Sequence, residues 1–154
     1  MVFEQAKIGD AEEILALQKL AYKSEAEIYD DYTIPPLTQS IKEIEGEFED
    51  HTFLKALGDD GRIIGSVRAC VKEGTCFVGR LIVHPDFQNR GIGTSLMKEI
   101  EGCFGDAKRF ELFTGHLSER NIYLYRKLGY REFKREKVHE NLELVYMEKI
   151  NKKA

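Results

Sequence analysis

The chain has 154 residues, the length of one ordinary domain, and 42% of them are hydrophobic while 32% are charged. This composition supports a folded core and excludes a disordered or collagen-like chain. The net charge of −4 gives no support to a nucleic-acid partner. We therefore expect a single domain over residues 1–154.

The sequence also indicates where the protein works. No stretch approaches the roughly 20 apolar residues of a membrane-spanning helix, and residues 1–13 lack the pattern of a secretory signal. The cysteines have no CxxC spacing, which favours free thiols in a reducing compartment over a zinc site; they are Cys70, Cys76 and Cys103. We expect a cytoplasmic protein with no metal ion and no membrane partner.

Charge is distributed unevenly along the chain. Residues 1–50 contain 13 acids and 4 bases, a net charge of −9, whereas residues 51–154 contain 14 acids and 19 bases, a net charge of +5. An anionic ligand is therefore favoured by the second part and a cationic ligand by the first. The alternative is that the acidic residues only keep one exposed helix solvated; they are Glu43, Glu45, Glu47, Glu49 and Asp50.

The first part of the chain predicts one strand and two helices. Residues 3–7 have the pattern of a short strand, and Asp10 with Glu13 three positions later predicts a capping box at the start of a helix. Pro35 ends any helix that reaches it, and a second helix is expected from near Thr38.

The second part predicts six strands and two further helices. An Asp-Gly pair predicts a hairpin turn, apolar residues recur at helical spacing after Pro85, and Gly129 suits a helix C-terminus. The predicted elements are strands at 51–57, 62–71 and 75–83, a helix at 92–104, a strand at 109–115, a helix at 118–128, and strands at 130–136 and 142–149. This order predicts a mixed α/β fold with about seven strands in a mostly antiparallel sheet and about four helices.

The loop at 88–93 joins a strand to a helix and contains two glycines, Gly91 and Gly93. A helix N-terminus has free N–H groups and the positive end of the helix dipole, so it can hold a phosphate. The loop is not a P-loop, because no lysine follows Gly93, and Leu96 stands where a dinucleotide fingerprint needs glycine or alanine. A tight turn that binds no ligand is the alternative.

Two segments resemble the GNAT superfamily of N-acetyltransferases. Val83 and Pro85, followed by residues 88–93, are similar to its acetyl-CoA-binding motif, V-x-P followed by Q/R-x-x-G-x-G/A. Residues 124–130, LYRKLGY, resemble its LYxKLGF signature, and residues 147–149 end the last strand as in many members. With the strand order, the resemblance covers essentially the whole chain and implies the GNAT acyl-CoA N-acyltransferase fold, with its twisted sheet.

The resemblance implies an acyltransferase that uses acetyl-CoA as co-substrate, attacked directly by a primary amine in a ternary complex. The strand end would hold the pantetheine arm through its backbone, the loop would hold the pyrophosphate, and Tyr125 would protonate the leaving thiolate. The implied cofactor-binding residues are Leu81, Ile82, Val83, Gln88, Asn89, Arg90, Gly91, Ile92, Gly93 and Thr94. The alternative for Tyr125 is a core aromatic residue.

The chain departs from the family pattern before Tyr125. Family members usually place asparagine seven residues before that tyrosine and alanine four before it, and here these positions are Ser118 and Asn121. We expect both residues to contact the cofactor. The alternative for Asn121 is an exposed helix residue.

The general base is less well determined by the sequence. Some relatives carry a glutamate six residues before the V-x-P valine, but here that residue is Phe77, which cannot act as a base. Glu111 and His116 are the candidates, each against the alternative of a structural or solvated residue. The cysteines have no nearby His/Asp signature, so we do not expect an acyl-cysteine intermediate.

In the family, the first two helices and their connection cover the acceptor. That segment here is acidic and aromatic, and carboxylates with aromatic faces suit an ammonium group. We expect a cationic small molecule, a lysine side chain or an N-terminal amine as acceptor. The predicted acceptor residues are Glu27, Tyr29, Asp30, Asp31 and Tyr32.

Two other functions stay open. The fold could be a catalytically silent acyl-CoA-binding module, since a fold does not determine function. It could also be a toxin-like transferase acting on aminoacyl-tRNA, although that requires a basic face and the overall acidity counts against it. Many relatives are dimers, so a homodimer is open as well.

Overall fold

The computed structural model describes residues 1–153, and in them the chain forms one sheet of seven strands with six α-helices. The strands are β1 (Val2–Gln5), β2 (Thr52–Leu57), β3 (Ile63–Lys72), β4 (Thr75–Val83), β5 (Arg109–Gly115), β6 (Arg131–His139) and β7 (Leu142–Ile150). The helices are α1 (Ala11–Ala21), α2 (Lys23–Tyr29), α3 (Pro35–Thr38), α4 (Ile41–Glu47), α5 (Ile92–Cys103) and α6 (Glu119–Lys127). Short 3-10 helices lie at Ile8–Asp10 and Pro85–Phe87.

The strand order is β1-β2-β3-β4-β5-β7-β6, and all neighbours are antiparallel except β4 and β5, which are parallel. This confirms the predicted mixed α/β fold with a mostly antiparallel sheet. The parallel pairing is short, because it begins at Thr75 with Arg109 and ends at Phe77 with Glu111. Beyond Phe77 the two strands diverge, which opens the sheet at its centre.

One face of the sheet packs against α5 and α6. The apolar stripe of α5 lies on alternating side chains of the central strands, such as Val78 and Phe110, in a continuous core. Leu96, Met97 and Ile100 are fully buried in it, and burial of each such side chain contributes about 1.5–3 kcal/mol to folding. This packing fixes the start of α5 beside the end of β4.

The opposite face is covered by α1 and α4. Ile14 and Ile44 are buried there against Phe53 and Ile82 of the sheet. The helices therefore lie on both faces, and the divergence of β4 and β5 opens between them.

The N-terminal helical region differs in detail from the prediction, since it contains four helices where two were expected. Asp30 ends α2 in a left-handed conformation with φ 48°, which turns the chain sharply. Pro35 begins α3 at its first residue, where the missing N–H of proline costs nothing.

The predicted capping box at Asp10 and Glu13 is wrong. The side chain of Asp10 makes no cap hydrogen bond to α1, and Glu13 instead accepts a hydrogen bond from the backbone N–H of Ile63 at 2.8 Å. A capping box forms at the start of α4, where Ser40 and Glu43 bond reciprocally to each other's backbone. The competing partner for Glu13 comes from β3, which local sequence does not reveal.

Within residues 1–153, no helix is both long and apolar enough to cross a membrane.

Candidate active site

The connection from β4 to α5 leaves the start of the helix without a side-chain cap. His84 accepts a hydrogen bond from the backbone N–H of Asp86 at 3.1 Å, which turns the chain after the strand. Asn89 and Gly91 then have φ of 64° and 81°, and the second of these favours glycine. No side chain caps α5 at Gly91, so its first N–H groups are free for a ligand.

Gly93 stands where α5, α6 and β4 come together. A Cβ atom at this position would lie 3.6 Å from Leu124 and 3.8 Å from both Leu81 and Val83. The absence of a side chain thus leaves open space between the loop and the end of the strand.

A cavity of about 670 Å³ opens in front of this loop, between α2, the end of β4, the start of α5 and α6. Of the twelve predicted cofactor-binding residues, eleven line it: Leu81, Ile82, Val83, Gln88, Asn89, Gly91, Ile92, Gly93, Thr94, Ser118 and Asn121. The strand residues among them lie beyond the last β4–β5 pair. Their backbone is therefore not paired with β5.

Arg90 is the exception among the predicted residues. Its guanidinium lies over the ring of Phe87, 5.1 Å from the ring centre, on the exposed side of the loop. The positive charge at the cavity comes instead from α6, through Arg120 and Lys127. Arg120 donates a hydrogen bond to the side chain of Gln88 and so ties α6 to the loop.

A hydrogen-bonded cluster joins α2 to the start of α6. Ser118 is 3% exposed, and its hydroxyl donates to Glu25 at 2.5 Å and lies 2.7 Å from the hydroxyl of Tyr29. Asn121 donates to Thr114 at 3.3 Å and to Glu25 at 3.5 Å. These contacts hold the Glu25 carboxylate at the wall of the cavity.

Gly115 permits this arrangement. A Cβ atom at Gly115 would lie 2.1 Å from the hydroxyl oxygen of Tyr29, so any other residue would displace that ring. Tyr29 also accepts a hydrogen bond from the backbone N–H of Leu117 at 2.9 Å. Tyr29 is therefore a buried support of the cluster and does not line the cavity.

Tyr125 lies on α6 behind the cavity wall, 6% exposed, with its ring 6.0 Å from that of Tyr130. Burial raises the pKa of Tyr125 above its ordinary value, and the nearby groups of Tyr22 and Glu25 act in the same direction. Both of those residues line the cavity. The phenol is therefore protonated at neutral pH and is a weaker acid than a free phenol. Tyr125 itself is not among the residues that line the cavity.

Neither predicted base reaches the cavity. Glu111 forms an ion pair with Arg109 at 2.9 Å, on the part of β5 that is still paired with β4. His116 accepts a hydrogen bond from the backbone N–H of Glu143 at 3.0 Å, in one assignment of its ring proton. Both side chains are therefore engaged in contacts within the sheet and its loops.

The structure also places the predicted acceptor residues away from the cavity. Asp31 lies 2.8 Å from the ring of His139 and accepts a hydrogen bond from the backbone of Thr33. Glu27 is an exposed residue of α2, Asp30 forms the turn after that helix, and Tyr32 is exposed on the surface. From this segment the cavity is instead lined by Ala21, Tyr22, Ser24, Glu25 and Ile28; Tyr22 directly precedes α2, and Glu25 and Ile28 follow it on the same face.

That face could have been found from the sequence. Residues 22, 25 and 28 are spaced by three, so they lie on one side of a helix. The charge of the acidic residues predicts a cation site in this segment, whereas the helical spacing indicates which side chains share a face.

The cysteines offer no alternative nucleophile at this site. Burial raises the pKa of Cys76 to about 12, so its thiol stays protonated.

Among the described residues, no group of three or more metal-ligating side chains is close enough to hold a metal ion.

The chain is similar in sequence to a known protein family and to a curated protein. The model of the acetyltransferase (GNAT) domain family matches residues 49–132, which include both sequence motifs. The chain is also similar to UPF0157 protein YqkA of Bacillus subtilis (strain 168), with 30% identity over 132 residues. The match covers 86% of this chain but 38% of that protein, so the chain spans well under half of its relative.

Several solved structures share the fold. The ribosomal-protein-S18-alanine N-acetyltransferase from Escherichia coli has a TM-score of 0.82 and 14% identity over 99% of this chain and 95% of its own. The protein smu.2055 from Streptococcus mutans UA159 has a TM-score of 0.84 and 16% identity, covering 99% and 100%. The PaiA N-acetyltransferase from Thermoplasma acidophilum, in complex with coenzyme A, has a TM-score of 0.69 and 21% identity, covering 97% and 99%.

These identities are low, and the solved structures therefore establish the fold alone. The family model matches more than half of the chain, and its match includes the loop and the helix that build the cavity. The chain belongs to the GNAT acetyltransferase family.

Proposed function

We propose that this single domain transfers the acetyl group of acetyl-CoA to a primary amine, which attacks the thioester directly in a ternary complex. The observation that carries the proposal is the uncapped start of α5, which faces a cavity beside the end of β4 that is not paired with β5. A pyrophosphate fits the first of these features and an extended pantetheine arm fits the second. A structural neighbour with coenzyme A bound supports the same ligand class.

The residues present fit acetyl-CoA in three respects. The backbone N–H groups from Gln88 to Gly93 would hold the pyrophosphate, with the Thr94 hydroxyl beside them. On the side that faces β5, the backbone of residues 81–83 is free to pair with the amide groups of the pantetheine arm, while its other side pairs with β3. Arg120 and Lys127 would face its anionic groups.

The reaction needs two proton transfers: the amine must lose a proton, and the departing thiolate must gain one. A primary amine with a pKa near 10.4 is about 3 units from neutral at pH 7, so deprotonation costs about 4–5 kcal/mol. We assign to Glu25, the carboxylate that the cluster holds at the cavity, the binding of this ammonium group and the acceptance of the proton that the amine loses as it attacks the thioester. Tyr125, still protonated, is assigned the proton transfer to the departing thiolate. The prediction of Glu111 as base loses support, because its partner is Arg109.

The proposal is tested with the purified chain, acetyl-CoA and a panel of primary amines. We expect release of free thiol and a mass increase of one acetyl group on at least one amine, with calorimetry showing acetyl-CoA binding. Tight binding without transfer to any amine would favour the silent module, and absence of binding would overturn the assignment of the cavity.

A further inference from the structure

One face of the segment around α2 forms a wall of the cavity. Tyr22, Glu25 and Ile28 all line the cavity, and their spacing of three residues places them side by side along the helix. Residues on the other faces of α2, such as Lys23 and Glu27, are exposed and do not line it. A ligand at this wall therefore meets one carboxylate with a tyrosine on one side and an isoleucine on the other.

The carboxylate of this wall has a fixed position. Ser118 donates a hydrogen bond to one oxygen of Glu25 at 2.5 Å, and Asn121 donates to the other oxygen at 3.5 Å. Both partners come from the start of α6, so the contacts hold the side chain from across the cavity. An ammonium group thus has one defined place to bind on this wall.

The cavity offers little to a second positive charge. Within residues 1–153, four charged side chains line the cavity, and Glu25 is the one that lies outside α6. The other three are exposed on α6: Glu119, Arg120 and Lys127. Because Glu119 lies beside Arg120 in sequence, the arginine opposes the binding of a further ammonium group there.

The neighbours of Glu25 on the same helix face are largely apolar. Ile28 is 47% exposed, although isoleucine is among the residues most often buried, and it lies at the cavity wall. Tyr22 packs against two buried clusters, one containing Ile82 and the other Ala26, so its ring is a fixed surface. An apolar group on the ligand would cover the Ile28 side chain and remove it from water.

We infer that the preferred acceptor is a primary monoamine with an apolar body, whose ammonium group binds Glu25 while its carbon chain or ring lies on Ile28 and Tyr22. The inference rests on the proposed acetyl transfer and names its acceptor class, which the sequence left open among several kinds of cationic amine. Ile28 then determines specificity by contacting the part of the acceptor that does not react. Amines with two or more positive charges are disfavoured, because the wall holds one carboxylate.

The experiment compares pentylamine with 1,4-diaminobutane as acceptors at constant ionic strength. The two amines have the same length, and a methyl group in the first replaces the second ammonium group of the other. We expect kcat/KM per amino group to be at least about tenfold higher for pentylamine. From propylamine to pentylamine, kcat/KM should rise by up to about fourfold for each methylene group that becomes buried.

Two substitutions at Ile28 separate the apolar contact from the charge. Ile28→Ser should lower kcat/KM for pentylamine by about three- to tenfold through a higher KM, since the side chain is half exposed before the acceptor binds. Ile28→Glu adds a second carboxylate to the wall, so it should also raise kcat/KM for 1,4-diaminobutane and largely abolish the preference. Ile41→Glu is the control, because Ile41 is 38% exposed on α4 and lies outside the cavity.

Two kinetic results would overturn the inference. They are use of 1,4-diaminobutane by the wild type as well as or better than pentylamine, and survival of the full wild-type preference in Ile28→Glu. Either result would leave acetyl transfer itself intact. Failure of the proposed function would instead appear as the absence of transfer to any amine, so the two failures are distinguishable.

A binding measurement tests the inference without turnover. Calorimetry with coenzyme A present would titrate each of the two amines into the wild type and into Ile28→Ser. We expect pentylamine to bind the wild type more tightly than 1,4-diaminobutane does, and to bind Ile28→Ser about three- to tenfold more weakly. Equal or tighter binding of the diamine to the wild type would contradict the inference, whether or not acetyl transfer is observed.

Discussion

Tyr125 combines a buried ring with a hydroxyl that stays protonated, because burial raises its pKa. We predict that Tyr125→Phe lowers kcat by about 10²–10⁴-fold, the usual contribution of a general acid. Affinity for acetyl-CoA should be nearly unchanged, since the phenylalanine ring still packs against Tyr130. Because the folded pKa lies above the ordinary phenol value, Tyr125 should add no loss of activity as the pH rises to about 10.

Steady-state kinetics and calorimetry check this prediction. Tyr146→Phe is the matched control, since Tyr146 packs against Phe113 and neither residue lines the cavity. An unchanged kcat in Tyr125→Phe, with chemistry shown to limit the rate, would mean that water protonates the thiolate.

Glu25 lines the cavity, although the sequence-based prediction of the acceptor residues did not include it. We predict that Glu25→Gln lowers kcat/KM for the amine by at least about tenfold, because the amide keeps the shape but loses the charge that receives the ammonium group. The hydrogen bond from Ser118 can still form, so the fold should be retained. Initial rates against amine concentration measure the effect, with Glu12→Gln on the exposed face of α1 as control. If the two substitutions had equal effects, Glu25 would have no specific part in binding the amine.

At the scale of elements, the open space at the start of α5 can be tested separately from the stability of that helix. We predict that Gly93→Val weakens acetyl-CoA binding at least tenfold, about 1.4 kcal/mol. The new side chain would begin 3.6–3.8 Å from Leu124, Leu81 and Val83 and fill the space beside the strand end. Gly102→Val introduces the same residue into the same helix, at a position with open space around it.

Calorimetric titration of both folded variants compares them directly. The helix-propensity cost of valine is common to the two, so a difference in affinity reports the cavity alone. Wild-type affinity in Gly93→Val would show that the cofactor does not use this space.

The same elements show what local sequence can predict. The strands at 75–83 and 109–115 agree with β4 and β5 at both ends, since alternating apolar residues bounded by turns determine them locally. The loop at 88–93 was predictable too, because its glycines and the following apolar stripe are contiguous.

Contacts between distant segments were not predictable in this way. Glu13 bonds to β3 instead of capping its own helix, and Ser118 joins residues of α2 that lie about 90 positions earlier. The partners of Arg68 come from α1, the segment after α3, and α4. Each of these contacts depends on how the helices cover the sheet, so no spacing along the chain reveals it.

At the scale of the whole molecule, the division of charge between residues 1–50 and 51–154 reaches the cavity itself. Its acidic side includes Glu25 on α2, and its basic side is α6, where Arg120 and Lys127 outnumber Glu119 by one charge. A polyanionic cofactor would therefore be attracted to the second part of the chain.

We predict that replacing both Arg120 and Lys127 by glutamine raises the KM for acetyl-CoA at low salt by about two- to thirtyfold. The range follows from roughly 0.2–1 kcal/mol for each exposed charge interaction. Added salt should raise the wild-type KM and narrow the difference, because the Debye length falls to about 10 Å at 0.1 M. Replacing Lys19 and Lys98, which are exposed on α1 and α5 outside the cavity, removes the same net charge and should have little effect. If both double variants changed the KM equally, net charge alone would attract the cofactor, and the basic side of the cavity would have no specific part in binding it.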